Sequence, residues 1–125
     1  GSINLINPES AIEFRNADND YIDLGNSFLL SNRNAFTLEG WVKFNKADIG
    51  NRYSLFGQND VIEFGFTNTN TILLWTAGGG SITTTLTTSF GNNAWHHIAA
   101  VGTGTNLRIY IDGTLIASGG SVGRL

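Results

Sequence analysis

The sequence predicts an all-β protein, an antiparallel β-sandwich of the jelly-roll type, and three observations lead there. Helix periodicity is nearly absent: no window longer than about ten residues keeps apolar positions at i, i+3, i+4 and i+7 without a glycine or β-branched cluster interrupting it. Short apolar runs recur instead at regular intervals, each bounded by Gly, Asn or Asp. Sixteen glycines against one proline in 125 residues match strands joined by tight turns. With 41% hydrophobic and 14% charged residues, the chain is too apolar and too weakly charged to stay disordered. The length fits one core and leaves no room for a second.

Taken in order, Gly1-Ser2 is read as a cloning scar, which leaves 3–125 as a single domain. Ala11–Phe14 is a short alternating run, and the polar turn Asn16–Asp20 separates it from a second one, Tyr21–Leu24. Phe36–Phe44 is the longest strand signal. Its Gly40 marks either a bulge or a close backbone approach, and leaves open whether Trp41 or Val42 faces inward. Tyr53–Phe56 and Val61–Phe66 flank Gly57-Gln58-Asn59-Asp60, a hairpin pattern. Thr71–Thr76 and Ile82–Thr87 flank Ala77-Gly78-Gly79-Gly80, a second hairpin with a permissive glycine loop. Trp95–Val101, Leu107–Ile111 and Thr114–Ala117 complete the set. Asp112-Gly113 between the last two suits a two-residue type I′ turn, in which both residues take positive φ.

Composition excludes several function classes. Seven Lys and Arg against ten Asp and Glu give a net charge of −3, and no two basic residues are adjacent, so nucleic acid is not an expected partner. No apolar run approaches the roughly 18 residues of a membrane helix, so membrane insertion is not expected. Without cysteine there is no disulfide frame, thiolate metal site or Cys nucleophile. Catalysis is not expected either. Asp20 and Asp23 have odd spacing and fall on opposite strand faces, Glu63 stands alone in its strand, and no Gly-x-Ser-x-Gly elbow occurs.

Two segments carry a family resemblance. Ala11–Phe14 with Asp20–Leu24, followed by Phe36–Lys43, resembles the opening of the laminin-G-like/pentraxin-like domains of the concanavalin A-like superfamily. Trp95-His96-His97-Ile98-Ala99 and Leu107–Gly113 are similar to that family's central signature. The resemblance spans about Ala11 to Ala117 and implies a concanavalin A-like sandwich. It also implies a few further strands, one of them pairing beside the N-terminal strand. The expectation is therefore a domain truncated at its C-terminal end, a second chain or copy completing the sandwich, or an abbreviated closure. Jelly-roll glucanases of this architecture carry a Glu-x-Asp-x-x-Glu run on one strand, and none occurs here.

Candidate binding residues follow. Trp75 ends the run Ile72–Trp75 beside the glycine loop; it either packs in the core or offers a flat apolar face to a sugar ring. Trp41 and Trp95 are read as core residues. His96 and His97 are adjacent on a strand and point to opposite faces, so they cannot share one metal ion without a bulge. His97 is expected as a hydrogen-bonded core residue among Trp95, Ala99 and Val101, with His96 on the other face beside Ile98 and Ala100.

Calcium takes six to eight oxygen ligands, and two acidic-amide turns could contribute: Asp18-Asn19-Asp20, and Gln58-Asn59-Asp60. Tyr53–Asp60 resembles the pentraxin-like segment whose Asp/Asn pair holds calcium, with Asn59 and Asp60 in reversed order. Ordinary turn chemistry explains both turns equally well. Metal candidates are thus Asn59, Asp60, Asp18 and Asp20, with calcium the expected ion. The Thr- and Ser-rich stretch 81–93 suits strands and discriminates nothing.

The expected function is a non-catalytic recognition or adhesion module of a larger secreted or surface-displayed bacterial protein. Its expected partner is a carbohydrate or a cell-surface protein held at the rim loops. The alternatives are a structural spacer in an adhesin or filament, and a partial domain completed by another chain.

Overall fold

The computed structural model describes residues 4–6, 11–13, 22–23, 35–49, 53–68, 70–78, 80–87 and 89–120. Ten strands are found among them. The short hairpin β1 (Asn4–Ile6) and β2 (Ala11–Glu13) precedes β3 (Ala35–Asn45), which runs into a 3-10 turn at Lys46–Asp48. β4 (Tyr53–Gln58), β5 (Ile62–Asn68), β6 (Thr71–Thr76) and β7 (Gly80–Thr85) follow. β8 (Asn92–Thr103), β9 (Leu107–Ile111) and β10 (Thr114–Gly119) complete the order.

Two four-stranded antiparallel sheets form, with strand orders β10-β9-β8-β3 and β4-β5-β6-β7. The second is a plain meander. In the first, β3 closes against β8 after the chain has crossed to the other sheet and back. The inner faces meet in one core: Phe36, Ile98, Ala100, Leu107, Ile109 and Ile111 from one sheet face Ile62, Phe64, Phe66, Ile72 and Leu74 from the other. Each of these large side chains contributes roughly 1.5–3 kcal/mol relative to exposure. Phe44, Phe66 and Phe90 cluster at one end, with Phe44 4.9 Å from each of the other two rings.

The local turn chemistry acts as the sequence predicts at β9–β10. Thr114 pairs with Ile111 across a turn made by Asp112 (φ 51) and Gly113 (φ 78). At Gly40 the structure chooses close approach over a bulge. Pairing with β8 runs unbroken through Gly40↔Ile98 and Trp41↔His97, and the register shift falls later, between Lys43 and Asn45. A Cβ at Gly40 would stand 3.0 Å from the tip of the Phe56 ring on the facing sheet, so the absent side chain lets the sheets close there.

Three expectations are corrected. Trp41 and Trp95 do not fill the core; they are 66% and 49% exposed. The uninterrupted register places Phe36, Leu38, Val42 and Phe44 inward, so Trp41 must face out. His97 lies on that same outer face, its ring edge-on to Trp41 at 5.5 Å. The inward histidine is His96, which meets Phe90 at 5.5 Å. Lastly, Ile22 and Asp23, expected in a strand, belong to none, and Ile22 is 48% exposed.

Candidate ligand-binding site

The outer face of the β4–β7 sheet carries an open hollow of about 440 Å³ lined by Asp60, Glu63, Thr67, Leu73 and Trp75. Its construction follows from strand alternation. On β6, Ile72, Leu74 and Thr76 point into the core, which turns Leu73 and Trp75 outward and leaves them half-buried. On β5, Ile62, Phe64 and Phe66 are buried, so Glu63, Gly65 and Thr67 face out. Glu63 stands directly opposite Trp75 and Gly65 opposite Leu73. Gly65, lacking a side chain between Glu63 and Thr67, leaves the depression.

Two contacts fix the rim. Thr76, buried at the end of β6, donates its hydroxyl to the Gly80 carbonyl at 3.1 Å and ties the end of β6 to the start of β7. Ala77 N–H donates to the Val61 carbonyl at 3.0 Å, tying the β6 end to the turn that carries Asp60. That turn takes Asp60 through φ 59, a region that Asp tolerates better than most residues. The result is an apolar floor of Trp75 and Leu73, bordered by two carboxylates and a hydroxyl.

The sequence-predicted residues divide accordingly. Trp75 is in the hollow and does not pack in the core. Asp60 borders the hollow, and Asn59 donates its amide to the Asp60 carboxylate at 3.2 Å. Asp18 and Asp20 lie outside the described residues. Among the described residues no three His, Cys, Asp or Glu side chains gather as a metal group. Asn59 and Asp60 are bonded to each other and supply part of the six to eight oxygens that calcium takes. Glu63, Thr67 and Leu73 were not singled out as ligand-binding from sequence. Their shared face with Trp75 exists only through the β5–β6 register, and the available signal was the alternation around Gly65.

A second polar cluster lies at the start of β8. His96 Nδ1 is 2.6 Å from Asp112 Oδ2, and because a carboxylate only accepts, Nδ1 carries the hydrogen. His96 Nε2 is 3.1 Å from Asn92 Oδ1. Asp112 also accepts from the His97 backbone N–H at 3.0 Å. The His96 hydrogen bond holds the Asp112 carboxyl below the usual carboxylate value, against the opposing effect of burial and with help from the His97 N–H. The cluster pins the β9–β10 turn to β8.

Two four-stranded antiparallel sheets packed over one core define a concanavalin A-like β-sandwich. The family follows from the chain as a whole: it belongs to the laminin G-type family of the concanavalin A-like lectin/glucanases superfamily, whose family model matches residues 16–125. No individual curated protein matches the sequence. Among the described residues no helix is long and apolar enough to cross a membrane.

Proposed function

We propose that the protein is a non-catalytic glycan-recognition module of a larger secreted or cell-surface protein, and that the β5–β6 hollow holds a neutral sugar. One observation carries the reading: Trp75 and Leu73 form an apolar floor inside a hollow bordered by the hydrogen-bonding groups of Glu63, Asp60 and Thr67. A pyranose ring has the matching chemistry, with C–H groups on its face and hydroxyls at its edge. The carboxylates accept hydrogen bonds from those hydroxyls and repel sulfated or uronic acid sugars, which selects for neutral glycans. The floor sits on paired strands, so little ordering is needed on binding. A single shallow site binds weakly, and repeated copies on a parent protein supply avidity.

The test is a glycan array probed with wild type, Trp75→Ala and Glu63→Gln, run with calcium and with chelator. Retention of neutral glycans by the wild type and loss in both variants is the expected result. Array signals that ignore both substitutions sink the reading. A complete absence of glycan binding moves the module to the spacer or the protein-surface reading. Release of reducing sugar from any bound oligosaccharide would overturn the non-catalytic reading and make Glu63→Gln and Asp60→Asn the variants to assay.

A further inference from the structure

Three of the four exposed large hydrophobic residues among the described ones lie on one surface, the outer face of the β10-β9-β8-β3 sheet. These are Trp41, Trp95 and Leu115, at 66%, 49% and 47% exposure. Register brings them together. Trp41 is opposite His97 and Lys43 is opposite Trp95, which makes the two tryptophans diagonal neighbours across β3 and β8. The next rung runs Glu39, Ala99, Tyr110 and Leu115 across all four strands. Ala99 is the smallest residue of that rung. Lys43, Glu39 and, one rung away, Arg108 border the patch.

The folding core gains nothing from this arrangement. A strand position facing solvent holds a polar residue at no cost, yet two tryptophans stand here with about half or two thirds of their surface in water. Footprint and chemistry together limit what covers them. Four strands spaced about 4.8 Å apart, taken over two to three same-face rungs about 6.8 Å apart, give a footprint of roughly 250–400 Å². A stable protein interface needs about 800 Å² per partner and is depleted of charge at its centre. The patch is too small for that and is interleaved with Lys43 and Glu39. Flat aromatic rings beside hydrogen-bonding and charged side chains suit a polysaccharide strand, whose sugar faces are apolar and whose edges are hydroxylated.

We infer that this face is a second sugar-stacking platform, so that one module holds two glycan segments on opposite sides. The ligand class rests on the reading of the β5–β6 hollow, but the residues are independent of it. A module with two opposed platforms cross-links polysaccharide chains, which a one-sided module cannot do.

Affinity electrophoresis in gels cast with mixed-linkage β-glucan, galactomannan or xylan tests this, using wild type, Trp41→Ala, Trp95→Ala, Trp75→Ala and the Trp41/Trp75 double variant. The expected result is at least a fivefold loss of apparent affinity for Trp41→Ala and for Trp95→Ala in a gel that retards the wild type, and no retardation of the double variant. Calorimetry with the matching oligosaccharide should give two equivalents per chain, falling to one in Trp41→Ala. Because these side chains face solvent, melting midpoints should stay within about 2 °C of wild type, which separates lost binding from lost folding. Wild-type mobility of both Trp41→Ala and Trp95→Ala overturns the platform, as does a failure of all three gels to retard the wild type. Sedimentation that shows a wild-type dimer and a Trp41→Ala monomer overturns it too, by making the face an interface between copies. A loss confined to Trp75→Ala leaves the hollow standing and removes this platform; a loss confined to Trp41→Ala and Trp95→Ala does the reverse.

Discussion

Gly102 sits on β8 between Phe36 of β3 and Leu107 of β9, and its missing side chain is a condition of how the core closes. A Cβ built there would lie 2.4 Å from Phe36 Cε1, 2.7 Å from Cδ1 and 3.0 Å from Cζ. Carbon atoms in contact prefer about 3.5–4.0 Å, so Gly102→Ala forces the Phe36 ring to move by roughly an ångström. Phe36 is 9% exposed and packed within the core cluster, which resists that movement. Overpacking of this kind costs about 1–3 kcal/mol. Alanine returns at most about 1 kcal/mol through its lower backbone entropy in the unfolded chain. The net loss is about 1–2 kcal/mol, or about 3–10 °C in melting midpoint for a domain of this size. Calorimetric melts of Gly102→Ala, Phe36→Leu and the double variant read it directly. The smaller, more adaptable leucine should take up part of the clash, so the pair should couple by about 1 kcal/mol in the relieving direction. A Gly102→Ala midpoint at or above wild type, or strictly additive single effects, would refute the steric account.

Three further outcomes are expected. Gly113→Ala meets no atom within 4 Å, so only its φ of +78° penalises the change, by about 1 kcal/mol, and no second-site variant should relieve it. Asp112→Asn keeps a residue that tolerates positive φ but loses the ionised partner of His96. Because the folded carboxyl titrates below its unfolded value of about 3.9, the wild-type advantage is fully present above about pH 4 and disappears as pH falls through the lower folded value. Melts of the two proteins should differ at pH 7 by no more than about 1 kcal/mol, the carboxylate being half exposed, and should converge as pH falls across 4 to 2. Excess calcium against chelator should leave the melting midpoint unchanged, since among the described residues no three His, Cys, Asp or Glu side chains gather as a metal group. A site filled at 100 times its dissociation constant would add about 2.7 kcal/mol, so a rise of several degrees would restore calcium to the site and make Asp18, Asp20, Asn59 and Asp60 the residues to mutate.

Much of this protein was legible in its residues because the deciding interactions are local. The Asp112-Gly113 turn needs two neighbours that accept positive φ, and the β4–β5 and β6–β7 hairpins announce themselves through their turn residues. The family signature around Trp95–Ala99 and Leu107–Gly113 likewise lies in continuous segments. Even the opposed directions of His96 and His97 follow from strand geometry alone.

Which face of each strand is buried was another matter. Trp95–Val101 carries apolar residues on both sides, so local pattern could assign Trp95 and His97 to the core as readily as to solvent, and in Phe36–Phe44 a bulge at Gly40 would have turned Trp41 inward away from Thr37 and Glu39. The choice was made by contacts with other strands. Phe56 closes on Gly40, Phe36 lies over Gly102, and His96 reaches Asp112, each across a gap in sequence that no local pattern spans. The hollow has the same origin. Trp75, Glu63 and Asp60 become neighbours only when β5 and β6 pair in register, and two exposed tryptophans become one surface only when β3 returns to β8. Residue types are a property of the chain, whereas a site is a property of which chain segments meet, and that is set by how the strands pair and the two sheets pack.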